Sequence, residues 1–191
     1  GRIGGAALDV LPQEPPPEGV TRPCVIYVHG GAWVIGDKRE QGVPMLNHLA
    51  ANGYVVLYTN PRGSTGYGSA FGNAIKRAYP SKDFDDLMAG LDEVIKKGYV
   101  DASNLFVFGC SGGGVLTAWT VGHTDRFAAA VPERGLYNRY SKDGTSDIWS
   151  GYTYLRVHQW ENPELYWRYS PIAYVQNIRT PLLLLHSEED L

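Results

Sequence analysis

The sequence predicts an α/β domain, a mostly parallel sheet with helices on both faces, and three observations carry that prediction. Short, continuous apolar runs recur along the chain, as strands buried on both faces require. Amphipathic stretches with helical spacing stand between them, the alternation typical of crossover-connected parallel strands. The chain has 191 residues, 43% hydrophobic and 19% charged, a size and balance that fit a single globular domain.

The elements follow in order. Leu11 to Gly19 is rich in proline and predicts a turn or surface loop. Cys24-Val25-Ile26-Tyr27-Val28-His29 is the first buried strand, ending in Gly30-Gly31. Val43, Leu46, Leu49 and Ala50 share one helix face, and Gly53 stops that helix. Tyr54 to Thr59 is the second strand, ending at Asn60-Pro61-Arg62-Gly63. Asp83 is placed to cap the clearest helix, whose stripe is Phe84, Leu87, Met88, Leu91, Val94 and Ile95. Leu105 to Phe108 is a third strand, and a helix runs from Val115 to Val121. Phe127 to Val131 and Pro181 to His186 are two further strand-like runs. Between them, Tyr137 to Tyr174 reads as an elaborated segment of loops and short helices near a site.

Composition excludes several function classes. A net charge of −3 supplies no basic field for nucleic acid. No apolar run approaches the ~20 residues of a membrane span. No basic segment followed by an apolar stretch marks a signal peptide, so a cytoplasmic location is favoured. Two cysteines, Cys24 and Cys110, are too few for a disulfide scaffold. No paired Cys or His has ligand spacing, so neither metal nor cofactor is expected. The chain begins at Gly1 and stops directly after an apolar run, and the expectation is an internal piece of a longer protein.

Gly109-Cys110-Ser111-Gly112-Gly113 matches G-x-S-x-G between a predicted strand and a predicted helix. Such a sharp turn strains the central serine and requires small residues two positions to either side, which Gly109 and Gly113 supply. The hydroxyl is then held at the carboxyl edge of the sheet, where a helix N-terminus favours developing negative charge. A phosphate loop would need G-x-x-x-x-G-K-[ST], and no lysine follows. Acyl transfer also needs two preorganised N–H donors for its oxyanion. Gly112, after the serine, is one, and Gly31 in His29-Gly30-Gly31-Ala32-Trp33 is the best candidate for the other. His29 itself is open to two readings at this point, a base or a packed histidine supporting that loop. His186-Ser187-Glu188-Glu189-Asp190 offers a carboxylate to orient an imidazole, with three acids competing.

These residues, with Asn60 to Gly68, Lys82-Asp83-Phe84-Asp85-Asp86, Gly122 to Phe127, Gly144 to Asp147, Glu161 to Tyr166 and Ser170-Pro171-Ile172-Ala173, resemble the catalytic domain of the prolyl oligopeptidase family, on an α/β-hydrolase fold. The acylaminoacyl-peptidase branch is the most similar. The resemblance covers most of the chain and implies a serine peptidase with Ser111 as nucleophile, Asp190 as the triad carboxylate, and Gly31 and Gly112 as oxyanion donors. It implies that the triad histidine follows the aspartate, whereas His29, His48, His123, His158 and His186 all precede Asp190. The expected chain is thus one truncated catalytic domain, without the final strand and helix or the N-terminal propeller, and inactive by itself. Without those elements, Leu182–Leu185 is expected near an unprotected sheet edge. His123 is expected to be structural.

Two departures stand out. The family usually has a tyrosine where this chain has Gly112, and proline after the two glycines where this chain has Ala32-Trp33. They suggest a second reading, a carboxylesterase acting on small acyl or sugar esters, and a third is a binding protein that has lost the histidine. Peptides or small esters are the expected partners, and Tyr137, Trp149, Tyr152, Tyr154 and Trp160 are expected to pack rather than to line a site. Glu133 and Arg134 follow a predicted strand in a position to face it.

Overall fold

A computed structural model of the chain describes residues 6–8, 17–31, 43–148 and 151–190. Ala32, Trp33, Trp149 and most of the proline-rich stretch lie outside the described residues. The sheet has five strands in the order β1-β3-β2-β4-β5. Strands β2 (Arg22–Val28), β3 (Val55–Thr59), β4 (Val100–Cys110) and β5 (Ala129–Glu133) pair in parallel. A short β1 (Ala6–Leu8), which the apolar pattern does not predict, pairs antiparallel with β3 at one edge.

Alternate strand residues face opposite sides of a sheet. Cys24, Ile26, Val28, Val55, Leu57, Leu105 and Val107 face one core, against Leu87 and Leu91 of α3 (Lys82–Ile95) and Leu116 and Trp119 of α4 (Gly112–His123). Tyr27, Val56, Tyr58 and Phe108 face the other, against Leu46 and Ala50 of α1 (Val43–Ala51). Both faces are therefore covered, which is why the strands read as continuous apolar runs. Gly53, at φ +88°, turns the chain out of α1. Cys24 is fully buried, and burial pushes its thiol up to about 12.

Four expectations need correction. Asp83 is not the cap of α3: Ser81 holds that position, and Asp83 sits buried in the first turn with its carboxylate accepting the Ser81 N–H. Strand β4 starts five residues before its apolar run, because Asp101 accepts from Ser103 and Asn104 and folds a polar irregularity into it. The pairing of β2 with β4 accordingly jumps from Arg22↔Val100 to Cys24↔Leu105. Strand β5 lies two residues later than its apolar run, with Phe127 buried ahead of it. Finally, Pro181 to His186 is extended but touches β5 only at two parallel bridges, Ala130↔Leu182 and Glu133↔Leu185. It lies at the outer side of β5, and Leu182–Leu185 are 37–58% exposed there, as expected of an apolar run near an unprotected sheet edge.

The segment from Tyr137 to Tyr174 folds, as expected, into short helices: α5 (Arg139–Thr145), α6 (Gly151–Leu155), α7 (Pro163–Arg168) and a 3-10 turn (Pro171–Asn177). A short α2 (Ser69–Gly72) follows the Asn60–Gly63 turn. That turn is tied to α3 by Arg62, whose Nε and Nη2 reach both oxygens of Asp86 at 2.6–2.9 Å while its N–H donates to Oδ2. Among the described residues no helix is long and apolar enough to cross a membrane.

Leu91 has no exposed surface between α3 and the sheet. Leu91→Ala should lower stability by about 2–5 kcal/mol, whereas Met45→Ala on the outer face of α1 should cost within about 0.5 kcal/mol; urea midpoints compare the two.

Candidate active site

Strands β2 and β4 are neighbours with Val28 opposite Gly109, and the chain leaves them for opposite sides of the sheet. The crevice beyond the carboxyl ends of such strands is where open α/β sheets bind ligands. Both glycine turns open into it.

Ser111 links β4 to α4 with φ 58° and ψ −117°, a left-handed conformation that strains any residue with a Cβ. Two main-chain bonds hold it there: Ser111 N–H donates to the Glu133 carbonyl at 2.9 Å, and Val115 N–H donates to the Ser111 carbonyl at 3.0 Å. The flanking glycines are sterically required. A Cβ on Gly109 would lie 2.6 Å from the Val28 oxygen, and one on Gly113 only 2.0 Å from the same atom. The first turn of α4 thus rests on the end of β2. Gly31 (φ +74°) comes so close to Gly112 that a Cβ there would meet the Gly31 nitrogen at 2.7 Å.

An open cavity of about 790 Å³ is lined by Ser111, Gly31, Gly112 and Asp190, so the structure brings all four sequence-predicted residues to one space. Ser111 is exposed to it. His186 lines it too: its Nε2 is 3.1 Å from the Asp190 carbonyl and 3.4 Å from Oδ2, and the Asp190 N–H donates to Ser187. The remaining histidines lie elsewhere. His29 is buried with Nε2 3.2 Å from Ser64 Oγ, and His123 stacks on Trp119 with Nδ1 2.8 Å from its carbonyl. His48 is exposed on α1, and His158 stacks on Trp160.

Several lining residues were not assigned to the site from sequence. Tyr137 and Tyr154 line the cavity, whereas Tyr152 and Trp160 are exposed outside it. Tyr79, Arg139 and Lys142 line it as well. The only sequence signal for Arg139 and Lys142 is membership of an aromatic-rich stretch after a strand, and Tyr79 has none. Arg134 faces the cavity, paired with Glu133 at 2.9 Å, and neighbouring Cys110 and Glu133 push its guanidinium further above its ordinary value. Among the described residues no three His, Cys, Asp or Glu side chains converge as a metal site would require.

Behind the turn, His29, Gly31, Ser64, Tyr79, Asp83 and Gly112 surround a void of about 20 Å³. Asp83 Oδ2 is buried without a partner, and burial pushes the carboxyl up to about 7, with Asp86 adding to the effect.

A strained serine on a strand–turn–helix at the carboxyl edge of a parallel sheet is the arrangement of the α/β-hydrolase class. The comparisons agree. The structure superimposes on an acylaminoacyl peptidase of Pyrococcus horikoshii with a TM-score of 0.79 at 30% identity, covering 88% of this chain and 28% of that one. It superimposes on a puromycin-hydrolyzing peptidase of Mycobacterium tuberculosis with a TM-score of 0.81 at 25% identity, covering 94% and 28%. In sequence it is 43% identical to the uncharacterized peptidase YuxL of Bacillus subtilis over 89% of this chain and 26% of the relative. It is 30% identical to acylamino-acid-releasing enzyme 1 of Oryza sativa subsp. japonica over 91% and 24%. The pattern of the prolyl oligopeptidase family matches residues 44–191, and the chain belongs to that family. It spans about a quarter of the length of these relatives.

Two outcomes follow from the geometry. Gly113→Ala must push α4 off β2 and should cost more than about 2 kcal/mol by denaturant unfolding, in the range of overpacked cores. Asp83 gives a pH dependence of definite sign. Its folded value, about 7, lies above its value in an unfolded chain, so the native state holds the proton longer. Stability should fall as pH rises from about 4 to about 7, by on the order of 4 kcal/mol, and level off above. Asp83→Asn should flatten that slope in denaturation curves taken across the range.

Proposed function

We propose that the chain carries the nucleophile and carboxylate of a serine peptidase and forms one α/β-hydrolase catalytic unit within a longer protein. Ser111 Oγ attacks the scissile carbonyl carbon, and the charge on its oxygen is received by the N–H groups of Gly31 and Gly112. An imidazole takes the serine proton and passes it to the leaving amine, while Asp190 orients that imidazole and stabilises its protonated form. Water then hydrolyses the acyl-enzyme by the same route. The observation that carries the reading is the strained Ser111, with Gly31 against Gly112, on the cavity that Asp190 also lines.

The imidazole belongs, in this proposal, to sequence outside these 191 residues. Family membership supports it, since the matched relatives are about four times longer. So does the sequence order: every histidine here precedes Asp190, against the Ser…Asp…His order of α/β-hydrolases. Peptides are the proposed substrates because relatives at 30% identity are named for releasing acylamino acids.

The whole protein should label 1:1 with a fluorophosphonate probe and turn over an aminoacyl anilide, and Ser111→Ala should abolish both. Ester turnover without amide turnover would move the reading to a carboxylesterase, and absence of labelling would move it to a binding protein. Asp190→Asn should lower kcat by about 10⁴-fold, the loss seen when a triad imidazole is misoriented. The 191 residues alone should not label.

A further inference from the structure

The first turn of α4 is a run of three glycines, Gly112 to Gly114, the backbone with most freedom to lose on ordering. Gly113 and Gly114 are held by contact, since a Cβ on either would lie within 2.3 Å of the Val28 or Glu133 oxygen. Gly112 has a further tie of a different kind. The Tyr79 hydroxyl donates to the Gly112 carbonyl at 3.1 Å. Tyr79 is buried, with its ring stacked on Tyr154 at 5.4 Å.

Arg139 closes the arrangement from the other side. It is 2% exposed, and burial disfavours its charge. That cost is met by main-chain acceptors and rings. Nη2 donates to the Tyr79 carbonyl at 2.6 Å and Nε to the Tyr169 carbonyl at 2.9 Å. The guanidinium lies 5.4 Å and 5.5 Å from the Tyr79 and Tyr154 ring centres.

We propose that Tyr79 and Arg139 are positioning residues for the oxyanion hole: Tyr79 holds the Gly112–Gly113 peptide, and with it the backbone rotation at Gly112, and Arg139 fixes Tyr79. The proposal rests on the serine-hydrolase reading above. A donor stabilises developing charge fully only when it need not reorganise as the charge forms. The Gly112 N–H lies in the peptide whose Ser111 carbonyl accepts from Val115, and the Tyr79 hydroxyl pins the next peptide through the Gly112 carbonyl, so both planes that meet at this freely rotating glycine are held. An interaction that matters only once the oxyanion exists acts on kcat and leaves KM in place. A tyrosine serving merely as cavity wall would move KM.

The test uses Tyr79→Phe in the whole enzyme, with an aminoacyl anilide and a peptidyl trifluoromethyl ketone, which forms a tetrahedral adduct with the nucleophile. We expect kcat to fall about 10-fold with KM within about 2-fold, and adduct affinity to weaken by the same factor as kcat. Unchanged kcat, or a raised KM with kcat held, overturns the proposal. Fluorophosphonate labelling separates the two levels. Failure of the parent enzyme to label at Ser111 overturns the hydrolase reading and this inference with it; labelling of both proteins with unchanged kcat overturns this inference alone. Should Tyr79→Phe not fold, Arg139→Lys, which keeps the charge and loses the fork, decides by the same split between kcat and KM.

Discussion

At the carboxyl edge of the sheet, α4 meets the strands through backbone rather than side chains. Gly109 and Gly113 leave room for the Val28 carbonyl and Gly114 for that of Glu133, with less than 3 Å to spare for any added carbon. Everything around the crevice follows from that approach. Because α4 rests on the ends of β2 and β5, the link from β4 has a single residue in which to reverse, and Ser111 takes the strain. Because Gly31 lies three residues past Val28, the same approach brings it against Gly112. The bond from Ser111 N–H to Glu133 sets the end of β5 against the turn, and Arg134 faces the cavity from there. One steric condition, met by three missing methyl groups, aligns three strand ends.

The loops that wall the crevice run outside the two cores that cover the sheet, over a small apolar cluster of Ile75, Tyr79 and Val115 with Leu136 and Tyr154. They are held by charged and hydroxyl side chains bonded to main chain. Arg62 and Asp86 tie the Asn60–Gly63 turn to α3, and Arg139 and Ser170 tie α5 to the Tyr166–Ser170 end of α7. Burying such groups is tolerable only when hydrogen bonds replace the lost water. Asp83 is the partial exception, with one oxygen bonded and the other facing the small void behind Gly31.

The layered α/β architecture was legible because strands buried on both faces leave a one-dimensional signal, and α3 because its stripe is regular. The Ser111 turn was legible for a related reason: its glycines are a steric requirement, and steric requirements appear as residue types. What escaped was set by neighbours distant in sequence. Ser81 and Asp83 are both residue types that cap helices and stand two apart, and the choice between them falls to the burial of Asp83 against residues remote in the chain. Tyr79 and Arg139 are 60 residues apart, and their bond to one another has no local pattern at all. Tyr137 and Tyr154 look like packing aromatics because lining a cavity and filling a core select the same side chains.

The two cysteines occupy opposite chemical situations. Cys24 has no solvent contact and a thiol held protonated well past neutrality, while Cys110 borders the open cavity beside Arg134. Alkylation proceeds through the thiolate and needs access. In the folded protein a thiol reagent therefore meets one sulfur, and the second becomes reactive only when β2 leaves the sheet. The molecule carries an internal clock for global opening: the rate at which the second equivalent of reagent is consumed reports the opening of the central strand of its sheet.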